Sequence, residues 1–500
     1  MSDGQAQAGS DDAQVGTVTT KVPARLDRLP WSRWHWMIVI GLGTVWVLDG
    51  LEVTIVGNVS GAISGPGSGL HITQSQISGF AAAMYVLGAC VGALFFGWLT
   101  DRFGRKKLFM ITLGVYLAAT ALTAVSFAAW WFFLFRFLTG FGIGGEYAAI
   151  NSAIDELIPS RHRGVIDILI NGTYWAGAAF GALLTVPATA DLPADVGWRL
   201  CFGLGVVLGL VVLLVRRNVP ESPRWLFIHG RAKQAEDLVD GVEARVERET
   251  GEALAEPREE ITIRQRTVIG FVTIARTMFT QYPRRTVLGF SLFIGQAFLY
   301  NAITFSYAQI LATFFHVKTN PGYYFAVIAA GNLIGPLLLA RLFDTVGRKP
   351  MIASTYLGSG LLLLVTAYLF RQGSLDATTM TACWCAVLFL ASAGASAAYL
   401  TVSEIFPMET RAMAIAFFYA IGTAAGGIAG PLLFSSLVST GKVADAALAF
   451  TIGAALMIAA GLVEIVLGVK AERRSLEDIA RPLTAIRPGS ARGQQTQTAT

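Results

Sequence analysis

The feature that most constrains this chain is a recurring block of apolar residues nearly free of charge, as at 37–56, 108–127 and 446–466. Each is about twenty residues long, which is what an α-helix needs to cross a hydrocarbon layer roughly 30 Å thick. Strands of a barrel would show short alternating segments instead, so the blocks read as spanning helices. Twelve are expected, at 36–57, 76–99, 108–127, 130–153, 165–188, 199–216, 287–314, 323–343, 351–370, 379–401, 411–438 and 445–468. Of the 500 residues 54% are hydrophobic and 14% charged, too few charges to clothe a soluble protein of this size. The first 35 residues lack the apolar stretch of a cleavable signal, so the first helix is expected to act as its own insertion signal.

The short loops give the orientation, because Lys and Arg collect on the cytoplasmic side. Arg102, Arg105, Lys106 and Lys107 follow the second span, Arg161 and Arg163 the fourth, and Arg341, Arg348 and Lys349 the eighth. The alternate loops hold only Lys318, Arg371 and Lys442. Both termini are therefore expected in the cytoplasm, with the chain in the cell (inner) membrane. The net charge of +5 reflects this topology, and no nucleic-acid partner is expected. Cys90, Cys201, Cys383 and Cys385 all fall in apolar segments, which suits packing rather than disulfides or a metal site.

Residues 1–35 read as a disordered N-terminus, with RLDRLPWSRWHW (25–36) as a basic and aromatic segment suited to the membrane interface. Residues 36–216 form one six-helix bundle and 287–468 a second; 217–286 is a charged cytoplasmic linker, and 469–500 a cytoplasmic tail. Within the linker, 232–250 alternates acids and bases at helical spacing, a pattern of a solvated helix. The two bundles repeat one another. GWLTDRFGRKK (97–107) and ARLFDTVGRKP (340–350) share the form D-x-x-G-R-K, while ELIPSRHR (156–163) and EIFPMETR (404–411) share Glu, Pro and Arg at equal spacing. Asp101 and Asp344 stand 243 residues apart, and Glu156 and Glu404 stand 248 apart. Two motifs at nearly one offset indicate a duplicated unit, and transporters built from repeats hold substrate between them near mid-membrane.

GWLTDRFGRKK resembles the signature loop of the major facilitator superfamily. RFLTGFGIGG (136–145), ELIPSRHRG, PESPRWL (220–226) and EIFPMETR add the pattern of its sugar-porter-like branch. The resemblance spans roughly 25–480 and implies an all-α membrane protein of twelve transmembrane helices, arranged as two pseudo-symmetric six-helix bundles. In this reading Asp101, Arg105, Glu156, Arg163, Asp344, Arg348, Glu404 and Arg411, with Glu146, form a cytoplasmic gate. Their charge-assisted hydrogen bonds would lock the halves together and break on opening; the alternative is static helix capping.

Charges within spans are costly and therefore functional candidates. Helix 1 carries Asp49 and Glu52, three residues apart and so on one face; helix 4 carries Arg136. Sugar-proton symporters pair an acid of the helix 1 motif G-x-D with the Arg opening the helix 4 motif, and Glu52 and Arg136 occupy those positions. The resemblance therefore implies a proton-coupling set of Glu52, Asp49 and Arg136, with Glu where the family usually has Asp. A structural ion pair is the alternative. The sequence DGLE also resembles the D-G-x-D motif of aromatic-acid symporters, near nicotinate carriers and the synaptic vesicle glycoprotein-like branch.

Helix 7 reads IGQAFLYNAITFSY (294–307), which keeps only part of the sugar-porter pattern, and helix 10 has SAAYL (396–400) in place of a Pro-Trp pair. Asn171, Trp175, Gln296, Asn301, Tyr307 and Tyr399 are the expected substrate lining, polar groups among apolar walls. The expected function is proton-coupled uptake of a small polar metabolite, an organic or aromatic acid rather than a sugar, with Arg136 available to a carboxylate. The alternatives are drug or metabolite efflux by proton antiport, sugar uniport, and a non-transporting sensor. The partners are a small-molecule substrate, a proton and the bilayer, and a monomer is expected. No phosphate-binding loop, metal cluster or nucleophile arrangement points to an enzyme, and no cofactor is expected.

Overall fold

In a computed structural model of the chain, residues 14–216, 220–257, 260–266, 271–317, 320–406, 411–472, 474 and 479–480 are described. The apolar blocks form α1 (Arg33–Asn58), α2 (Gln76–Ala81 as a π-helical turn running into Ala82–Phe103) and α3 (Arg105–Ala124). They continue as α4 (Ala129–Leu157), α5 (Ser160–Ala190) and α6 (Ala194–Arg216). The second half holds α7 (Pro283–Phe314), α8 (Pro321–Thr345), α9 (Arg348–Arg371) and α10 (Ala377–Ile405). It ends with α11 (Arg411–Thr423 and Ala429–Ser439, joined by a π-helical turn over Ala424–Ile428) and α12 (Val443–Leu467). Among the described residues, eleven of these helices are long and apolar enough to cross a membrane. The twelfth, α4, is equally long but carries Arg136 and Glu146.

Several helices outrun their apolar blocks. The ends α5 at Ser160, α7 at Pro283 and α9 at Arg348 lie three to five residues ahead of the expected starts, because a polar first turn is still helical once it leaves hydrocarbon. Only Gly104 separates α2 from α3, and only Val346 and Gly347 separate α8 from α9. Both glycines adopt the same backbone, φ 92° and ψ 160° at Gly104 and φ 115° and ψ 158° at Gly347. That region is essentially closed to residues with a Cβ, which explains the Gly of the repeated D-x-x-G-R-K motif.

The halves are built alike. In the first, α2 packs on α4, α1 on α5, and α3 on both α4 and α6; in the second, α8 packs on α10, α7 on α11, and α9 on both α10 and α12. Two equivalent seams join them, α5 against α8 and α2 against α11. The α2–α4 crossing depends on glycine in both directions. A Cβ on Gly88 would collide with the Phe137 carbonyl, and one on Gly140 with the Tyr85 carbonyl. Backbones this close give dispersion contacts where no hydrophobic effect favours helix on helix over helix on lipid.

The N-terminal reading needs correction. Residues 14–29 are ordered: β1 (Gln14–Thr20) pairs antiparallel with β2 (Ile261–Arg266), and a short helix follows over Val22–Asp27. Val22, Leu26 and Leu29 are buried, and the short helix packs on the linker helix Ala232–Thr250, whose Ala235, Val239, Val242 and Val246 are buried too. That linker helix is therefore solvated on one face only. Composition pointed to disorder because the pairing partners stand more than two hundred residues away. The linker also contains helices over Pro223–Ile228 and Phe271–Gln281. All four cysteines are free thiols.

Candidate functional site

Seven helices surround a cavity of about 820 Å³ between the halves. Helical spacing brings Trp46 and Val53 of α1 to one wall, with Tyr85 of α2, Tyr147 of α4, and Asn171, Tyr174 and Trp175 of α5. The opposite wall carries Gln296, Tyr300, Asn301 and Thr304 of α7. Ser392, Ser396 and Tyr399 of α10 and Tyr419 and Thr423 of α11 complete it. Aromatic rings meet across the seam. Tyr147 lies 4.7 Å from Tyr419, Trp175 lies 5.2 Å from Tyr300, and Trp46, stacked on Tyr147 at 4.7 Å, lies 6.2 Å from Tyr399. Such rings supply large apolar area at low conformational cost, while hydroxyls and amides fix orientation. Among the described residues no Lys, Arg or His lines the cavity.

Five of the six expected lining residues border this space: Asn171, Trp175, Gln296, Asn301 and Tyr399. Tyr307 does not. It is fully buried two helical turns beyond Tyr300, where its hydroxyl donates to Asn58 Oδ1 of the other half. The residues missed were mostly aromatic. Their signal was proximity along the helix to recognised positions, Tyr300 beside Asn301, Tyr174 beside Trp175, and Ser396 and Ser392 one and two turns from Tyr399.

Arg136 and Glu52 pair as expected, Nη1 to Oε1 at 2.8 Å, and Thr120 donates to the same oxygen at 3.3 Å. Both side chains are fully buried. The Arg136 guanidinium lies 5.1 Å from the Tyr85 ring centroid and 5.8 Å from that of Phe202. The pair thus sits behind Tyr85, one layer outside the cavity, and Arg136 does not reach the space a substrate carboxylate would occupy. Asp49 is also fully buried, on the α1 stripe between Trp46 and Val53.

The motif loops lie together at one end of the bundle, here the motif face. Arg105 bonds Glu156, Ser222 donates to the same Glu156 carboxylate, and Glu221 accepts the Arg105 backbone N–H at 2.9 Å. The second half repeats the device. Arg348 bonds Asp344 at 2.5 Å and Glu404 at 3.2 Å, and Glu472 accepts the Arg348 backbone N–H at 3.4 Å. These bonds close within each half, so the expectation that they tie the halves together is corrected. Among the described residues, a link across is made by Asp344, whose second oxygen accepts the Val165 N–H of α5 at 3.0 Å. Arg163 stands 3.5 Å from Asp27 of the N-terminal segment rather than in the motif clusters. Glu146 accepts from Thr112 at 3.2 Å deep within the α3–α4 contact, ten residues and about 15 Å of helix from Glu156, so it is no part of the gate. The side chains of Asp101 and Arg411 lie outside the described residues. Glu221 and Glu472 were missed, although each follows the last helix of its half and the repeat offset relates them.

The halves also touch at the opposite, far face. Besides Tyr307 and Asn58, Gly322 at the start of α8 lies so near α5 that a Cβ would stand 2.7 Å from the Ala182 carbonyl. The cavity is thus bounded by inter-half contacts on both sides.

Residues 33–483 match the model of the sugar (and other) transporter family. The chain belongs to this family. It is a multi-pass membrane protein of the major facilitator sugar-porter-like group, and the group transports small metabolites. Among family relatives, the niacin transporter NiaP of Acinetobacter baylyi is 26% identical over 462 residues, covering 91% of this chain and 99% of that one. The putative metabolite transport protein YyaJ of Bacillus subtilis is 29% identical over 339 residues, 66% of this chain and 71% of that one. The fold matches the proton:xylose symporter XylE bound to 6-bromo-6-deoxy-D-glucose, with a TM-score of 0.72 at 18% identity over 89% of this chain and 98% of that one. The inward-open conformation of XylE from E. coli gives a TM-score of 0.64 at 18% identity, again over 89% and 98%.

Proposed function

We propose that this member of the family is a proton-coupled carrier that takes up a small aromatic metabolite, an aromatic acid in preference to a sugar. The observation that carries the reading is the cavity wall, where eight aromatic rings face three amides and a few hydroxyls. A planar ring can insert between such walls, whereas a polyol would bury hydroxyls against ring faces that cannot satisfy them. The niacin transporter among the relatives carries a substrate of this kind.

The motif face is the cytoplasmic face in this proposal, consistent with its basic loops. Substrate enters when the far-face contacts part, and leaves when the Asp344–Val165 link and the α2–α11 seam open. The clusters around Arg105 and Arg348 keep each half rigid as it turns. Coupling rests on the Glu52–Arg136 pair, because α1 and α4 hold one partner each and any sliding between them changes the cost of an ionised Glu52.

In proteoliposomes with an imposed inward proton gradient, labelled benzoate or nicotinate is expected to accumulate, and glucose is not. Glu52→Gln should abolish accumulation while preserving some exchange of labelled substrate between the two sides. Undiminished accumulation by Glu52→Gln would remove the coupling role, and glucose uptake in place of the acids would overturn the substrate class.

A further inference from the structure

The N-terminal strap, residues 14–31, is fastened at both ends, and the fastenings lead to opposite halves. Its last part sits on the start of α5. Asp27 Oδ1 accepts the Ser160 N–H at 3.3 Å and stands 3.5 Å from Arg163, and the Leu29 carbonyl accepts from Arg161 at 2.8 Å. The Trp31 ring lies 5.3 Å from that of His162. Its first part, β1, runs along β2, which ends five residues before the helix Phe271–Gln281. That helix sides with the second half: it packs on α7 and α11, and Thr286 of α7 donates to its Met278 carbonyl at 2.8 Å. Between the two ends, Arg25 and Arg28 hold the strap to Glu236, Asp240 and Glu243 of the linker helix.

The seat on α5 is the turn just before the link between the halves. Residues 160–163 carry the strap. Gly164 then lies so near the second half that a Cβ would collide with the Arg348 guanidinium, and Val165 donates to Asp344. Asp27 and Asp344 thus approach the positive end of α5 from two sides, one from the strap and one from the second half. A helix start held by the strap is already set for the Asp344 contact. Opening this face must carry α5 away from α7, α8 and α11. Five residues of chain reach no further than about 17 Å, so β2 has little slack and the movement loads the strap at α5 and along β1.

We propose that the N-terminal strap is an autoinhibitory latch on the motif face: docked, it holds the two halves closed there, and released, it lets that face open. The inference rests on the reading of the motif face as one of the two openings of a carrier. The ion pairs of Arg25 and Arg28 set how readily the latch lets go. Opening is thereby controlled at the surface, without any change to the cavity.

Nitroxide amino acids placed at Lys107 of α3 and Thr345 of α8, exposed positions on opposite halves, report the opening by pulsed electron spin resonance of the full chain in nanodiscs. Arg25→Glu sets like charges against Glu236, Asp240 and Glu243, and Asp27→Ala removes the hold on α5. Each is expected to raise the fraction of long distances several-fold, and Arg25→Glu to accelerate hydrogen exchange over 22–29. Asp344→Asn, which acts on the link itself, is the control. If exchange quickens but neither strap variant lengthens the distance, while Asp344→Asn does, the latch alone is overturned. Unchanged exchange in Arg25→Glu overturns it too, because those ion pairs would then not hold the strap. If no variant opens the motif face, Asp344→Asn included, the reading of that face as an exit falls and the latch with it. Should Arg25→Glu fail to fold, Asp27→Ala and Asp27→Lys decide by the same distance and the same exchange.

Discussion

At the scale of single residues, the Glu52–Arg136 pair is the most consequential contact. A guanidinium at 1% exposure and a carboxylate at 0% lose most of their hydration, and their attraction, the Thr120 hydrogen bond and the Tyr85 and Phe202 ring faces offset it. Removing one partner of such a buried pair typically costs about 3–5 kcal/mol, whereas removing both costs much less. Arg136→Met is therefore expected to lower the thermal unfolding temperature in detergent sharply, and Arg136→Met with Glu52→Gln should recover most of the loss. Additive losses in that double-mutant cycle would show that the two do not act as a pair. This contact was legible from the sequence because a charge in a spanning helix stands out, and the family motif named its partner. The shared cavity of the eight aromatic rings was not legible, since those rings come from seven different helices.

At the scale of elements, two features carry predictions. The first is the α2–α4 crossing. Gly140→Val would place a Cβ against the Tyr85 carbonyl, and overpacking that displaces backbone costs at least about 1–3 kcal/mol. Loss of folded protein in size-exclusion chromatography is expected, whereas Gly114→Val, at a position with nothing within 4 Å, should leave the elution profile unchanged. The second is the N-terminal strap. Arg25 reaches Glu236, Asp240 and Glu243 of the linker helix at 2.5 to 2.6 Å, and Arg28 reaches Glu243 at 2.5 Å. Partial burial works against an ionised Glu243, but the hydrogen bonds and charges of Arg25 and Arg28 outweigh it and hold its carboxyl below the ordinary value. A lowered folded value means that docking is fully stabilised above the ordinary carboxylate range and is lost as pH falls through the lowered one. Hydrogen exchange at 22–29 should accelerate below about pH 4, and Glu243→Ala should reproduce that acceleration at neutral pH. The acidic and basic spacing of 232–250 announced the helix, but not the strap that covers it, because local composition says nothing about a partner so distant in the chain.

At the scale of the molecule, two bundles related by duplication close on one cavity, with contacts at both faces. Among the described residues, few hydrogen bonds hold each face. Tyr307→Phe removes the far-face hydrogen bond to Asn58, and Asp344→Asn weakens the motif-face acceptor for Val165. A single hydrogen bond contributes about 0.5–1.5 kcal/mol, enough to shift a two-state population several-fold. Tyr307→Phe should therefore raise the accessibility of a cavity cysteine placed at Ser396 to a reagent from the far face, and Asp344→Asn from the motif face. Equal labelling from both faces in each variant would show that these contacts do not set the balance.

The sequence by itself determined that the chain crosses a membrane, that it does so about twelve times, and that it is a doubled unit. Block length against bilayer thickness is a local property, and D-x-x-G-R-K recurs wherever Gly104 and Gly347 must take a backbone that only glycine adopts. Only the tertiary structure decided which side chains share a space. It moved Tyr307 from the cavity to the far face, kept Arg136 behind Tyr85, and closed the described motif pairs within each half. Those outcomes depend on how seven helices cross and rotate against one another, and rotation about a helix axis is set by packing partners that no single stretch of sequence contains.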